Sequence, residues 1–434
     1  MSATSIATVA ARQVFDSRGR PTVEAEVGLA GGGFGRASAP SGASRGAAEA
    51  WELRDGDPAR FAGLGVEQAV AGVKSVIRPA LIGRDGTDQQ GLDALLRRLD
   101  GTPQLTRLGG NAILAVSIAA ARAGAAALGQ PLWRRLGELS GSGVPASMPL
   151  PMVNILSGGL HASRGMDVQD FLVIPVGASR YSEALEWVLR VRFAAAEICE
   201  QRSITTLLAD EGGLSPGFVD SDQALELMVR AIERAGLRPG HDAAIALDIA
   251  ASSLTDGQGR YVFQRAGLVM GASEMIDLLA DWAARWPIVS IEDGLGEEDW
   301  AHWPELTRRL GHLQLVGDDL FATQADRIAR GARDGSANAA LIKINQNGTL
   351  TGTFEAITAA RAAGFATVIS ARSGETEDTF IADLAVGAGA GQIKIGSVRG
   401  GERMAKYNQL LRLETEGLSL VTTNRTLTPL TSMR

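Results

Sequence analysis

The chain contains very little lysine. Only four lysines stand among its 42 lysine and arginine residues. Two of the four, Lys343 and Lys394, lie at the ends of short apolar runs in the second half of the chain. Arginine stays protonated, whereas lysine can lose its proton when burial or neighbouring positive charge lowers its pKa. The lysines retained in this arginine-rich chain are therefore candidates for proton transfer, and their scarcity points to catalysis.

Cysteine, aromatic residues and net positive charge are also in short supply. The single cysteine, Cys199, excludes an internal disulfide framework and predicts a buried thiol in a cytoplasmic protein. A formal net charge of −7 disfavours nucleic acid or an anionic membrane as partner, because both require a concentrated basic surface. No targeting segment and no stretch of membrane-spanning length is expected. A soluble enzyme is the class that remains, and 434 residues suffice for two domains.

The first 140 residues have the pattern of a small domain. Thr22–Ala30 alternates as a half-buried strand, and Gly31–Gly33 predicts a hairpin that leads into Phe34–Ala39. Four helical patterns follow: Ala47–Leu53, Val66–Leu81, Gln90–Leu99 and Asn111–Leu128. Strands followed by helices predict an α+β capping domain over residues 1–140. The glycine-, serine- and proline-rich segment Gly141–Pro151 marks the expected boundary.

Residues 141–434 alternate between apolar runs and segments of helix length. The runs are Phe171–Val176, Ile245–Ile249, Ile288–Ile291, Leu313–Val316, Ala340–Ile344, Thr367–Ser370 and Gln392–Ile395. Their spacing is typical of the βα units of a parallel sheet. Polar residues end nearly every run on its C-terminal side, where the active sites of barrels form. The pattern therefore favours an α/β barrel over an open, doubly wound sheet.

Three carboxylates, Asp248, Glu292 and Asp318, each close an apolar run. If they converge at a barrel mouth they repel one another unless a cation neutralises them, and an all-oxygen set suits Mg²⁺ or Mn²⁺. Helix capping is the alternative, because aspartate often caps the helix that follows a strand. The recurrence of the carboxylates, followed by two scarce lysines in similar positions, favours the metal site.

Lys343 occupies an unusual place for a charged residue. Strand alternation directs it inward together with Leu341. Near a divalent metal and near Lys394 its pKa should fall, which makes it a candidate base for the proton α to a metal-bound carboxylate. An ion pair with Asp318 or Glu292 is the alternative, and the two interpretations can hold together.

Three loops carry further polar side chains that can face a ligand. Glu211 lies in an Asp-Glu-Gly-Gly sequence whose glycines permit a turn that presents its carboxylate. Arg372 and Ser373 supply a bidentate cation and a hydroxyl, which together suit a phosphate group. His161 lies in a glycine-containing loop that lets the backbone approach a substrate. Each sequence taken alone is equally consistent with an ordinary turn or loop.

Taken together, these motifs resemble the enolase family. The matching segments cover nearly the whole chain in family order: Asp16–Gly19, Pro21–Val23, Pro40–Ser44, Asp210–Gly213, Ser290–Asp293, Ser373–Asp378 and Ala405–Gln409. The resemblance implies a small α+β domain, a barrel whose first hairpin departs from strict βα order, and a homodimer or higher homo-oligomer. It also implies interconversion of 2-phosphoglycerate and phosphoenolpyruvate with two Mg²⁺ ions, one structural and one that arrives with the substrate.

The resemblance implies a role for each candidate site residue. The structural Mg²⁺ is expected on three carboxylates: Asp248, Glu292 and Asp318. Ser44 is expected to help hold the second Mg²⁺ with the substrate phosphate. Lys343 matches the base, Glu211 the acid, and Asp170 the carboxylate that partners the acid. The remaining substrate contacts are expected from five side chains: His161, Gln169, Arg372, Ser373 and Lys394.

The sequence departs from the family pattern on one side of the expected pocket. Ala371 stands where the family has histidine, and Asp170 shortens the glutamate that partners the acid. Four smaller departures are Ser157 for asparagine, Ala209 for glycine, Arg45 for threonine and Ile395 for threonine. The metal ligands and the base are intact. The pattern therefore predicts metal-assisted proton abstraction on a substrate that is larger or differently substituted at phosphorus.

Three functions follow from these observations. The favoured one is a Mg²⁺ enzyme of phosphonate or phosphinate natural-product biosynthesis that forms carboxyphosphonoenolpyruvate from a 2-phosphoglycerate-like or phosphoenolpyruvate-like carboxylate. Ordinary glycolytic enolase is the first alternative. A non-catalytic, enolase-like binding protein is the second. The intact acids and Lys343 argue against it, because a scaffold gains nothing from a costly concentration of charge.

Overall fold

The computed structural model describes residues 2–43, 45–141, 143–421 and 427. Within these ranges a three-stranded antiparallel sheet with helices is followed by a closed barrel of eight strands. The predicted fold class, a small α+β domain followed by a (β/α)₈ barrel of the enolase type, is confirmed.

Alternating burial builds the N-terminal sheet. Strands β1 (Ile6–Phe15), β2 (Pro21–Leu29) and β3 (Phe34–Ser38) pair in the order β1-β2-β3. The inward side chains of Val23 and Val27 on β2 are fully buried. The predicted hairpin is therefore confirmed. Strand β1 was not predicted, because its alanine-rich sequence carries a weak strand signal.

Helices occupy much of the remaining chain. The α-helices of the described residues are α1 Glu67–Gly72, α2 Arg78–Leu81, α3 Gln89–Asp100, α4 Gly110–Ala127, α5 Leu132–Ser140, α6 Tyr181–Gln201, α7 Ser221–Arg234, α8 Ala272–Arg285, α9 Trp303–Leu310, α10 Ala325–Asp334, α11 Ile344–Asn347, α12 Leu350–Ala362, α13 Phe380–Gly387 and α14 Gly401–Glu414. A π-helical turn, Val73–Ile77, joins α1 to α2. The predicted helix Val66–Leu81 is thus one continuous helical run. Cys199 is buried on α6, as predicted.

Helix α4 is the core helix of the N-terminal domain. It is long and apolar enough to cross a membrane by length and composition, so the expectation that no such stretch exists was wrong. Of its 18 residues, 83% are buried inside the protein, where the helix packs on β2 and β3. A Cβ at Gly35 would lie 2.1 Å from Ala119 O of α4, so glycine is required where the sheet approaches the helix.

The barrel closes in the order β10-β11-β12-β13-β4-β5-β6-β9. The strands after the N-terminal sheet are β4 Leu150–Ser157, β5 Asp170–Ile174, β6 Ala244–Asp248, β7 Tyr261–Phe263, β8 Leu268–Met270, β9 Ile288–Glu292, β10 Gln314–Gly317, β11 Ala339–Ile342, β12 Ala366–Ser370 and β13 Gln392–Lys394. Strands β7 and β8 form a separate hairpin. Strand β5 runs antiparallel to both β4 and β6, whereas the other neighbouring strands are parallel. The departure of the first hairpin from strict βα order is therefore confirmed.

Strand alternation separates the interior of the barrel from its outer surface. Leu341 packs inside the barrel with Met152 and Val316, whereas Ile342 packs between the barrel and the surrounding helices. The inward direction predicted for Leu341 is thus confirmed. The next inward position along this strand is Lys343, just beyond the end of β11.

The helix predicted at Ala47–Leu53 is wrong. Ala50 N donates to Gln346 O at 2.8 Å, and Trp51 N donates to Gln104 O at 2.7 Å. The Gln104 side chain also donates to the carbonyl of Ala47, at 2.6 Å. These tertiary hydrogen bonds use backbone groups that a helix would pair internally, so they override the helical propensity of the segment. The segment instead forms a strap between the N-terminal domain and the barrel.

A buried aspartate also connects the two parts of the molecule. Asp93 on α3 accepts hydrogen bonds from Ser117 Oγ at 2.6 Å and from Gln89 Nε2 at 3.1 Å. Its other oxygen accepts from Thr351 N at 2.8 Å and Thr351 Oγ1 at 2.6 Å, at the start of α12. A single carboxylate therefore satisfies four donors at the domain interface.

We predict that Asp93→Ala lowers the free energy of unfolding by about 2–4 kcal/mol, because several buried donors lose their acceptor. Urea unfolding followed by circular dichroism measures the change. The control is Glu355→Ala, an exposed position on α12, which should change the stability by less than about 0.5 kcal/mol. Equal stabilities of the two variants would contradict the prediction.

Candidate active site

The carboxyl ends of β6, β9 and β10 lie side by side. Asp248 pairs in register with Glu292, and Glu292 pairs with Val316, two residues before Asp318. All three carboxylates are buried, with at most 7% of each residue exposed. The structure therefore brings the three predicted metal ligands to one edge of the barrel.

A lysine ammonium lies between two of these carboxylates. Lys394 Nζ is 2.8 Å from Asp248 Oδ2 and 2.8 Å from each oxygen of Glu292. Burial lowers the pKa of Lys394, but Asp248 and Glu292 outweigh it, and the net pKa lies well above its usual value. Burial and the charge of Asp248 raise the pKa of Glu292 to about 8. The pair of carboxylates thus binds a cation supplied by the protein itself.

Asp318 is paired with the second predicted lysine. Lys343 Nζ donates to Asp318 Oδ2, and Gln346 Nε2 donates to Asp318 Oδ1 at 3.0 Å. Burial lowers the pKa of Lys343, whereas the charges of Asp318 and Glu292 raise it, and the net pKa is raised. The predicted fall of this pKa depends on a divalent metal that offsets the carboxylates, so it stays a prediction.

The alternative interpretations of these residues were helix capping by the three carboxylates and an ion pair for Lys343. Within the described part of the chain, no backbone N–H donates to the carboxylate of Asp248, Glu292 or Asp318, so none of them caps a helix. The ion pair proposed as an alternative for Lys343 does form, with Asp318.

The donors at the mouth fit a hard divalent cation. Asp293, Asp318 and Asp319 each place one carboxylate oxygen within 4.8 Å of the others. Asp293 already accepts from the backbone N–H groups of Asp318 at 3.0 Å and Asp319 at 2.8 Å, so its carboxylate supports the loop. Asp248, Glu292 and Asp318 do not form one of the compact groups of candidate ligands among the described residues, but their carboxylates have only side-chain donors as partners. They remain the predicted Mg²⁺ ligands.

A second cluster of polar side chains surrounds His161. His161 Nδ1 lies 2.9 Å from Asp170 Oδ2, and Ser157 Oγ donates to Asp170 Oδ1 at 2.6 Å. His161 Nε2 lies 3.8 Å from Glu211 Oε1. Burial lowers the pKa of His161, but Asp170 and Glu211 outweigh it and raise it to about 9. The imidazole is therefore charged at neutral pH.

Glu211 is presented by the turn that its glycines predict. Gly212 has φ +83°, and a Cβ there would lie 2.9 Å from Arg399 O, so the turn requires glycine. Asn154 Nδ2 donates to Glu211 Oε2 at 3.2 Å. Burial raises the pKa of Glu211, but His161 and other cations lower it further, and the net pKa is lowered. Glu211 is thus an ionised acceptor in this state, and its protonated neighbour is His161.

The predicted phosphate-binding residues are held rigidly. Arg372 Nη1 donates to Glu49 Oε2 at 3.0 Å and to Asn345 Oδ1 at 2.8 Å. Arg18 Nη1 donates to Ser373 Oγ at 3.2 Å. Sequence reasoning missed Glu49 because it treated the segment that contains Glu49 as an ordinary helix. No sequence signal indicated Asn345.

These side chains line one cavity of about 210 Å³. Nine of the predicted site residues form part of its wall: His161, Gln169, Glu211, Asp248, Asp318, Lys343, Arg372, Ser373 and Lys394. Gln169 reaches the acids, because its Nε2 donates to Asp248 Oδ2 at 3.1 Å. Asp170 and Glu292 lie behind the wall, in contact with His161 and Lys394. Ser44, predicted as a ligand of the second metal, lies outside the described residues.

The fold and the cavity define a class: a barrel enzyme with acids and lysines at the carboxyl ends of its strands. Residues 6–136 match the family model described as the enolase N-terminal domain, and residues 145–423 match the enolase C-terminal TIM barrel domain. Because these matches span most of the sequence, the chain belongs to the enolase family. The family typically uses Mg²⁺, acts on small phosphorylated carboxylates and is usually oligomeric.

We predict that Asp170→Asn lowers the pKa of His161 from about 9, because Asp170 contributes the largest raising charge. A raised histidine pKa adds stability that is present below pH 6.5 and is lost as the pH rises through about 9. Loss of stability over this range should therefore be smaller in Asp170→Asn. Ring-labelled histidine NMR, with His161→Gln to assign the signal, measures the pKa. An unchanged pKa in Asp170→Asn would contradict the prediction.

Proposed function

We propose that the protein is a Mg²⁺-dependent enzyme of phosphonate or phosphinate natural-product biosynthesis. Its substrate is a 2-phosphoglycerate-like carboxylate whose 2-oxygen already carries a phosphonoformyl unit. Removal of the α-proton and loss of the β-hydroxyl as water then give carboxyphosphonoenolpyruvate. The observation that carries the proposal is Ala371, a methyl group in the cavity wall beside an otherwise complete set of acids, lysines and arginine. The proposal includes cytoplasmic residence, two Mg²⁺ ions and assembly as a homodimer or higher homo-oligomer.

Lys343 is the base in this proposal. Its Nζ faces the cavity and donates to Asp318, one of the oxygens that would hold the metal. Mg²⁺ held by Asp248, Glu292 and Asp318 would supply positive charge that acidifies the carbon next to a substrate carboxylate. Asp318 would then attract Lys343 less strongly, the pKa of Lys343 would fall, and its neutral amine could accept the proton. Lys394 then binds the substrate carboxylate.

His161 and Glu211 act on the leaving-group side. Protonated His161 directs Nε2 toward Glu211 at 3.8 Å, so the pair holds a proton next to the cavity. Asp170 keeps the ring oriented through Nδ1, and the Ser157 hydroxyl reaches the shortened carboxylate from the other side. The two departures from the family pattern thus contact each other and preserve a charged, oriented imidazole.

The part of the cavity proposed to bind the phosphorus group has more space than the family pattern would leave there. Arg372 and Ser373 offer donors for a phosphoryl-type group, and the adjacent Ala371 leaves space that an imidazole would fill. Ala371 N donates to Lys394 O at 2.8 Å, so the backbone of this segment is tied to β13. The additional space supports a substrate with a substituent on phosphorus.

Ordinary enolase activity is the second candidate. It is favoured by the presence of Lys343, Lys394 and Glu211 around one cavity, where a glycolytic enolase would use them. A non-catalytic binding protein has no such support, because the charged mouth gives it no advantage.

We predict that Lys343→Ala slows exchange of the α-proton of 2-phosphoglycerate with deuterium by about 10²–10⁴-fold, because the base is removed. Proton NMR in deuterated buffer with Mg²⁺ measures the exchange, and calorimetry should show that Mg²⁺ still binds. Lys74→Ala is the matched control, because Lys74 is exposed on the N-terminal domain. Exchange that persists in Lys343→Ala would exclude this base.

We also predict that the native protein produces little phosphoenolpyruvate from 2-phosphoglycerate, and that Ala371→His raises this turnover by about tenfold or more by restoring an imidazole. Absorbance of phosphoenolpyruvate measures the reaction. Ala371→Ser, which adds a hydroxyl but little volume, is the control and should leave the turnover low. Full enolase turnover in the native protein would defeat the phosphonate proposal in favour of glycolytic enolase. Absence of both turnover and Mg²⁺ binding would favour a binding protein.

A further inference from the structure

We infer that Arg45 binds an additional anionic group carried by the substrate, beyond the phosphoryl-type group assigned to Arg372 and Ser373. The inference rests on the proposed function and narrows its substrate class. The substrate would be a phosphorus-containing carboxylate with a second negative charge on the phosphorus substituent. Four observations support it: the stacking of Arg45, its lack of a paired acid, its connection to Arg372, and the space at Ala371.

Arg45 is held on an aromatic platform at the edge of the cavity. Its guanidinium carbon lies 3.8 Å from the centre of the Trp51 ring, and its side chain forms part of the cavity wall. Trp51 is fixed by its backbone, which donates to Gln104 O and accepts from Gly110 N, both at 2.7 Å. Stacking engages the face of a guanidinium and leaves the N–H groups at its edge available to an anion. The geometry therefore presents a preoriented donor to the cavity.

No acid neutralises Arg45. Across the described ranges, no carboxylate lies within 4.0 Å of its guanidinium, and no acceptor takes a hydrogen bond from it. The acids of the strap have other partners. Glu49 pairs with Arg372, and Glu52 pairs with Arg54. An unpaired arginine at a cavity rim attracts anions, and its planar fork matches a carboxylate or a phosphonate.

Arg45 is connected to the phosphate-binding end of the cavity. Glu49 binds Arg372 through Oε2 at 3.0 Å and accepts from Gly46 N through Oε1 at 3.0 Å. The residue that follows Arg45 is thus tied to the same carboxylate that holds Arg372. The strap therefore keeps Arg45 on the Arg372 side of the cavity.

The positions of the donors give the chemical class of the substrate. One phosphoryl group and one carboxylate account for Arg372, Ser373 and Lys394. Arg45 is a further donor in the cavity wall, and Ala371 provides volume in the same wall. A further carboxylate attached to phosphorus would use both the charge and the volume.

The test compares two ligands of similar total charge, phosphoenolpyruvate and carboxyphosphonoenolpyruvate, in which a carboxylate replaces one of the phosphoryl oxygens. Isothermal titration calorimetry with saturating Mg²⁺ gives their affinities for the native protein, Arg45→Gln and Arg134→Gln. The native protein should prefer the carboxylated ligand. Arg45→Gln should weaken that ligand by about ten- to a hundredfold, the range for one lost charge-assisted hydrogen bond. Its effect on phosphoenolpyruvate should be at least several times smaller.

Arg134 is the matched control, because its guanidinium carbon also stacks on a tryptophan, 5.3 Å from the Trp133 ring centre, on helix α5. Arg134→Gln should leave both affinities unchanged. Equal weakening of the two ligands by Arg45→Gln, or no preference in the native protein, would overturn the inference. A separate result would refute the proposed function: if the native protein does not exchange the α-proton of 2-phosphoglycerate with solvent, the proposed chemistry is wrong. The ligand preference is measured without turnover, so it is tested independently of that chemistry.

Discussion

The mutual repulsion of buried carboxylates at the barrel mouth is the constraint on which the site depends. Register places Asp248 beside Glu292 and brings Asp318 next to them, and burial strengthens every charge interaction among them. Two lysines offset this repulsion. Lys394 lies between Asp248 and Glu292, and Lys343 binds Asp318. A divalent cation bound at these oxygens, as we propose, would compete with both ammonium groups. It would free the lysines for other partners, and this coupling would link the proposed metal ligands to the proposed base.

Several residues that depart from the family pattern lie close to one another around the cavity. Ser157 and Asp170 are both shorter than their family counterparts, and they contact each other, so the carboxylate still reaches His161. Ala371 and Arg45 change the phosphorus side by adding volume and positive charge. Random loss of function would not preserve every metal ligand while it produced compensating pairs elsewhere. The distribution of changes argues for an altered substrate rather than for decay.

The sequence predicted the barrel because seven of its eight strands are apolar runs, nearly all of them closed by a polar residue. Strand β4 was not among the predicted runs. Alternation correctly directed Leu341 into the barrel. The strap at Ala47–Leu53 escaped prediction, because its helical propensity is overridden by hydrogen bonds to residues far along the chain. Without a metal, carboxylates from several strands raise the pKa of Lys343, and the local sequence does not contain that summed charge. The fall predicted beside a divalent metal stays a prediction.

The scarcity of lysine has a geometric explanation in the structure. Lys394 uses its three donors on three carboxylate oxygens, each at 2.8 Å, in a space between two strands. Buried Lys406 likewise donates to the carbonyls of Thr376 and Glu402 and pairs with Glu375. A planar guanidinium cannot direct donors to three such converging acceptors, whereas a compact ammonium can. In a chain that otherwise uses arginine, Lys394 and Lys406 thus persist where a compact charge is required, whereas Lys74 is exposed on the N-terminal domain. At Lys343 the same preference retains the one cationic side chain that can become a neutral base.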